Sequence, residues 1–150
     1  MSDNWITLIP ENPRFVPNQA NRERARDRFA EIAQNADEVE LQIFEKINFF
    51  DCGSNFGKVY CPSCRTEIAV EWWKDRMDED YDNGFKLANY STPCCGSTVT
   101  LHELIYEWPQ GFGLFALDAM NPHIGKLNDQ YKLELEEILE TKLRVIYQHI

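Results

Sequence analysis

The sequence predicts an α+β fold made of two βαβ units separated by a long insertion. Three observations lead there. Short apolar runs in both halves of the chain have the lengths and alternation of strands. Between them lie two longer stretches whose apolar residues recur three and four positions apart, as on one face of a helix. Residues 51–109 break both patterns with turn residues, aromatics and two groups of cysteines. A four-stranded sheet carrying two helices accounts for a discontinuous core, 1–50 and 110–150, with an inserted metal-binding lobe at 51–109.

Residues 5–9 (WITLI) form the first expected strand, stopped by Pro10, and Pro13 and Pro17 stiffen the connector behind it. A helix follows from 18 or 19 to about 36, with Ala25, Phe29, Ile32, Ala33 and Ala36 facing inward and Asn18 or Asn21 as its cap. Arg22, Arg24, Arg26 and Arg28 alternate with Glu23 and Asp27, which describes a solvated face. Val39, Leu41 and Ile43 alternate with polar Glu40 and Gln42, giving a strand covered on one side that continues with a bend to Phe50. A turn at 51–55 opens the insertion, in which 67 to about 76 reads as helix and 98–100 as a short strand. Residues 111–117 return as a core strand, and Asn121-Pro122 breaks it. The second helix is expected from 128 or 129 to 140 or 141, presenting Tyr131, Leu135, Ile138 and Leu139 to the core. In the last strand Val145, Tyr147 and His149 share one face, and Arg144, Ile146 and Gln148 the other. This order resembles the ferredoxin-like βαββαβ arrangement, which implies residues 51–109 inserted between its middle strands.

Charge narrows the partners. Fifteen Lys and Arg against 25 Asp and Glu give a formal charge of −10, which opposes generic attraction to a phosphate backbone and suits a basic protein partner. Nucleic acid is disfavoured, since only a local basic patch would serve it. No apolar run approaches a membrane span, and the N-terminal Met1-Ser2-Asp3-Asn4 lacks the features of a secretory signal. The expectation is a cytoplasmic chain with reduced thiols.

Four of the five cysteines fall into Cys61-Pro62-Ser63-Cys64 and Cys94-Cys95-Gly96. Thiolates are soft ligands, and four of them suit a tetrahedral structural zinc. The first group resembles a zinc-ribbon knuckle. Cys95-Gly96 matches the end of a second knuckle, although Thr92 stands where its first cysteine belongs and adjacent Cys94 is the replacement. The resemblance implies a zinc-ribbon-like lobe holding structural zinc on Cys61, Cys64, Cys94 and Cys95. Successive cysteines point apart on an ideal strand, so the pair must lie on a turn. Cys52, or next His102, is the substitute ligand if adjacency defeats the geometry. Thiol–disulfide exchange at Cys61 and Cys64 is the rival chemistry, but it leaves the second cysteine group unexplained.

Beyond the cysteines, no residue pattern specifies catalysis. Asp75, Asp78, Glu79, Asp80 and Asp82 lack the ligand order of a calcium loop and read as an exposed acidic face. Trp73 and Trp108, with Asp75, Asp78 and Glu107, are candidates for a contact patch toward a basic partner. Residues 110–122 (QGFGLFALDAMNP) also resemble a stretch in uncharacterised bacterial proteins with paired cysteines. The sequence therefore points to a zinc-stabilised protein-interaction module, with three alternatives: an immunity or inhibitory protein against a basic bacterial toxin, a metal-dependent enzyme, and a nucleic-acid-binding ribbon.

Overall fold

The computed structural model describes residues 2–150, so Met1, with which the N-terminal expectation begins, lies outside it. In chain order the elements are β1 (Asn4–Pro10), α1 (Gln19–Ile32), β2 (Glu38–Phe50), β3 (Val59–Tyr60), β4 (Glu67–Ile68), α2 (Val70–Asp80), β5 (Tyr90–Ser91), β6 (Thr98–Val99), β7 (Ile105–Tyr106), β8 (Gly111–Met120), α3 (Asp129–Leu139) and β9 (Leu143–His149). The architecture is α+β, with strands additional to the four long ones. No helix among the described residues is long and apolar enough to cross a membrane.

The long strands form one sheet in the order β2-β8-β1-β9, and every neighbouring pair is antiparallel. Alternation decides its two faces. Ile6 and Leu8 point the same way as Phe115, Leu117 and Ala119, and this face meets Ala25 and Phe29 of α1 and Leu135 and Leu139 of α3. Helices α1 and α3 each begin on an asparagine: Asn18 Oδ1 accepts from Asn21 N–H at 2.8 Å, and Asn128 Oδ1 from Gln130 N–H at 2.8 Å. The expected bend in β2 appears as a register shift between Ile43 and Asn48.

Three expectations need correction here. Helix α1 stops at Ile32, four residues early, because the chain turns at Ala33–Ala36 to place Asp37 N–H on Met120 O at 2.8 Å and begin β2. Tyr131 is not in the core. It is 41 % exposed, with the Arg28 guanidinium 5.4 Å from its ring centre. Glu67 and Ile68 are not helical, since they pair with Tyr60 and Val59, and α2 starts only after them.

The chain leaves the sheet after Phe50 and returns beside it at Gly111, its ladder partner. What lies between packs on the face opposite the helices. Val59, Ile68, Trp73, Leu101 and Tyr106 gather around Ile47 and Phe112 of the long strands. A smaller group joins Cys52 to Ile9, Ala116 and Ile146. Strand β3 sits between β4 and β7, while β5 and β6 form a separate hairpin.

A buried polar knot fastens this segment to the sheet. His102 Nδ1 accepts from Phe112 N–H at 3.0 Å, so its proton is on Nε2, which donates to Glu11 O at 2.8 Å. Arg144 donates to the carbonyls of His102 (3.1 Å) and Gln110 (2.9 Å) and grips the Glu11 carboxylate through two nitrogens. Gly111 passes so close that a Cβ there would meet Arg144 Nη1 at 2.7 Å and the His102 ring at 2.9 Å.

Burial, and then the Arg144 charge, lower the His102 pKa from 6.5 to about 4. Above pH 6.5 the group is neutral in both folded and unfolded chains. Below it the unfolded chain binds the proton first, so His102 withdraws up to about 3 kcal/mol of stability as the pH falls from 6.5 to 4. Asp118 titrates in the opposite sense over the same range, because burial raises it to about 6. Comparison with His102→Asn isolates the histidine. The variant unfolds at lower urea than the native protein at pH 7, and the gap closes or inverts by pH 4; a gap independent of pH contradicts the assignment.

Candidate metal centre

The first cysteine turn grows from the β3–β4 hairpin, where Val59 opposes Ile68 and Tyr60 opposes Glu67. Cys61 N–H donates to Thr66 O at 2.9 Å, and Arg65 N–H to Cys61 O at 3.0 Å. Arg65 takes a left-handed conformation at φ 66°. The second turn grows from the β5–β6 hairpin, where Tyr90 opposes Val99 and Ser91 opposes Thr98. Thr92 N–H donates to Ser97 O at 2.9 Å and Gly96 N–H to Thr92 O at 3.0 Å, with Gly96 at φ 74°. Each of these contacts repeats one in the first turn, 31 residues later, as Thr92 follows Cys61. Cys95 thus occupies the place of Cys64, and Thr92 that of Cys61. Cys94 stands where the first turn has Ser63.

This superposition explains how adjacent cysteines face one centre. They sit on the tight part of a turn and not on a strand. The sulfurs of Cys61, Cys64, Cys94 and Cys95 all lie within 4.8 Å of one another. Cys61 Sγ is 3.7 Å from Cys95 Sγ, and Cys64 Sγ is 3.3 Å from Cys94 Sγ. Four sulfurs bonded at about 2.3 Å around a tetrahedral zinc stand about 3.8 Å apart. The cluster is therefore geometrically capable of coordinating one metal ion. Three hydroxyls contact the sulfurs: Thr92 Oγ1 lies 3.8 Å from Cys61 Sγ and 3.5 Å from Cys95 Sγ, Ser97 Oγ lies 3.0 Å from Cys95 Sγ, and Thr66 Oγ1 lies 3.2 Å from Cys64 Sγ.

Hydrogen bonding and loss of water move three of the thiols in different directions. The Cys64 amide, ahead of the Ser63 amide and the Thr92 hydroxyl, lowers Cys61. The Ser97 hydroxyl, followed by Thr92, lowers Cys95 to about 6. Cys94 moves the other way, to about 11, through loss of water and then the contact with Cys64. Cys61 is buried while Cys64, Cys94 and Cys95 are exposed, so the cluster lies at the rim of the segment with one sulfur rooted inside.

The substitutes considered from sequence are engaged elsewhere. Cys52 is buried and donates its thiol to Gln110 Oε1 at 3.3 Å, and burial pushes its pKa up to about 11. Both ring nitrogens of His102 are used in the knot to Glu11 and Phe112. Among the described residues, the cysteine group is the one cluster of three or more His, Cys, Asp or Glu able to hold a metal.

The aromatic and acidic candidates separate. Trp73 is buried, with its Nε1 donating to Tyr106 Oη at 3.0 Å and its ring stacked on Phe56 at 5.0 Å. It forms part of the interior and not of an outer surface. Asp75, Asp78 and Glu107 are exposed, and Trp108 is 41 % exposed. Within the acidic tract, Asp80 departs from the expected solvated face. It is buried and accepts from Leu87 N–H (2.7 Å), Ala88 N–H (2.8 Å) and Tyr90 Oη (3.0 Å), tying α2 to the strand that leads into the second turn. Nothing in a run of carboxylates marks which one is internal. Asp118 is a second buried carboxylate, and its signal was available: it is the only charged residue in β8.

The chain matches no protein-family model, no curated protein and no solved structure in the comparisons made.

Cobalt(II) substitution counts the sulfurs directly through thiolate-to-metal charge-transfer absorption. Cys94→Ser is expected to remove about a quarter of that intensity, and Thr92→Cys/Cys94→Ser to restore it by completing a regular second turn. Unchanged intensity in Cys94→Ser would show that Cys94 is not a ligand.

Proposed function

We propose that the protein is a zinc-stabilised protein-interaction module: a ferredoxin-like core, 1–50 and 110–150, carrying a zinc-ribbon-like lobe at 51–109 that presents an acidic and aromatic surface to a basic partner. The observation that carries this reading is the convergence of four thiol sulfurs within 4.8 Å of one another. Four thiolates complete the coordination of zinc, which leaves no position for water or substrate and gives the ion a structural task. Sheet order supports the core assignment, since β2-β8-β1-β9 with antiparallel neighbours is the arrangement expected of βαββαβ connectivity. The matched backbone bonds of the two cysteine turns support the ribbon-like lobe.

Support for a basic partner comes from the net charge of −10 together with exposed Asp75, Asp78, Glu107 and Trp108. Trp108 is the anchor of choice there, since a half-exposed indole beside a carboxylate offers apolar area and charge together. Trp73 contributes by holding the lobe from within. The proposed setting is the cytoplasm, where free thiols persist for metal binding.

Affinity capture from native extract with the zinc-loaded chain tests this function. Basic proteins are expected on the native bait, reduced severalfold on Glu107→Gln/Trp108→Ala and lost from a metal-depleted Cys61→Ser/Cys64→Ser bait. An identical set of proteins on all three baits, or none on the native one, contradicts the reading.

A further inference from the structure

The face of the sheet opposite the helices is only partly covered by residues 51–109. Its covered part ends at Ala116 and Ile146, which pack with Cys52. One position beyond that border in the pleat lies Asp118, on the same side of β8 as Ala116. Its ladder partners are Thr7 in β1 and Glu40 in β2. Asp118 is only 4 % exposed. One oxygen accepts from the Gln42 side-chain amide, while Oδ1 has no hydrogen-bond partner at all. A buried carboxylate oxygen without a donor is costly, and such groups are rare unless something else meets them.

That carboxylate lines a cavity of about 230 Å³ together with Trp5, Thr7, Gln42, Phe50 and Gln148. The remaining wall residues are Phe49 and Asp51, so the lining holds two carboxylates and no lysine or arginine. Asp51 is already occupied by the Gln148 amide at 2.9 Å and by Gly53 N–H at 3.1 Å. Asp118 alone is short of a donor. The bordering strand adds Glu38 and Glu40, both exposed.

We infer that this cavity is a binding site for an organic cation, an alkylammonium or alkylguanidinium group whose N–H donors pair with Asp118. The aromatic walls distinguish that class from a metal ion. Indole and phenyl faces attract an ammonium or guanidinium group, whereas a hard metal needs several oxygen ligands. No cluster of three metal-capable side chains is present there among the described residues. A lysine or arginine side chain fits the volume. Gln42, a half-buried wall residue, occupies one carboxylate oxygen and gives way when the cation takes both. The site is independent of the cysteine cluster and of Trp108, so it stands or falls separately from the interaction surface proposed above.

The test uses the zinc-loaded 150-residue chain and two-dimensional NMR. The probes are butylammonium and butylguanidinium as free cations, and Gly-Lys-Gly and Gly-Arg-Gly with blocked ends as protein-like ones. Saturable shifts are expected at the Trp5 indole N–H and at the Thr7, Asp118 and Gln148 amides with Kd of about 1 mM or tighter. Tighter binding of the peptides assigns the natural ligand to a protein side chain, and tighter binding of the free cations to a small amine. Asp118→Asn keeps an acceptor for Gln42 and should weaken binding at least about tenfold, while its urea midpoint stays equal to or above that of the native protein. Trp5→Leu should weaken binding severalfold, whereas Glu107→Gln/Trp108→Ala should leave it unchanged. Absence of saturable shifts at these residues with all four probes up to about 10 mM overturns the inference, as does native-like affinity in a folded Asp118→Asn protein.

Discussion

The two cysteine turns of residues 51–109 meet with all four sulfurs within 4.8 Å of one another, and this is the contact that a shared metal ion would fix. Each turn rises from a hairpin with two-residue strands, and ladders that short contribute little order by themselves. Cys61 is rooted in the apolar interior with Val59 and Ile68, whereas Cys64, Cys94 and Cys95 stand outside it. An ion shared by all four would therefore join the two turns at their exposed ends, in addition to the packing of Val99 and the Asp80–Tyr90 bond that already hold the second hairpin. This is a common solution in small units whose core is too limited to be stable unaided.

Attachment of the segment to the sheet has a different physical basis. There the work is divided between aromatic packing and a polar knot. Phe49, Phe85 and Phe112 have ring centres 4.9 to 6.2 Å apart and bring the segment's apolar side against the long strands. Arg144 then spans β9, Gln110 and the loop at Glu11 through charge-assisted bonds. Arginine suits the position because its planar fork satisfies two carbonyls and a carboxylate at once, which lysine cannot do. The His102 ring is fixed beside it by Phe112 N–H and Glu11 O, which occupy both ring nitrogens.

Much of the core was legible from residue order. Alternation separates Val145 and Tyr147 from Arg144, Ile146 and Gln148 on the last strand, and asparagines stand at the starts of α1 and α3. Pairing of residues distant in sequence was not legible. Glu67 and Ile68 have no local preference strong enough to resist a helical continuation, and only the opposing Val59 and Tyr60 make them a strand. Trp73 and Trp108 look alike in sequence, yet one donates its indole proton to Tyr106 inside and the other lies at the surface. The cysteine cluster occupied the middle ground. Its members were evident from chemistry, but the equivalence of Thr92 with Cys61 appears only when the backbone bonds of the two turns are compared. Asp80 and Asp118 show the same limit for carboxylates: burial is decided by donors that the chain brings from elsewhere.

On the proposed reading, a metal held by Cys61, Cys64, Cys94 and Cys95 orders residues 51–109 while the sheet stands without it. Amide hydrogen exchange on the zinc-loaded protein, before and after treatment with a high-affinity chelator, tests that division most directly. Protection is expected to fall in residues 58–68 and 90–99 on metal removal, while β1, β8 and β9 remain protected. Equal protection in the two states, or loss spread evenly over sheet and segment, would contradict it.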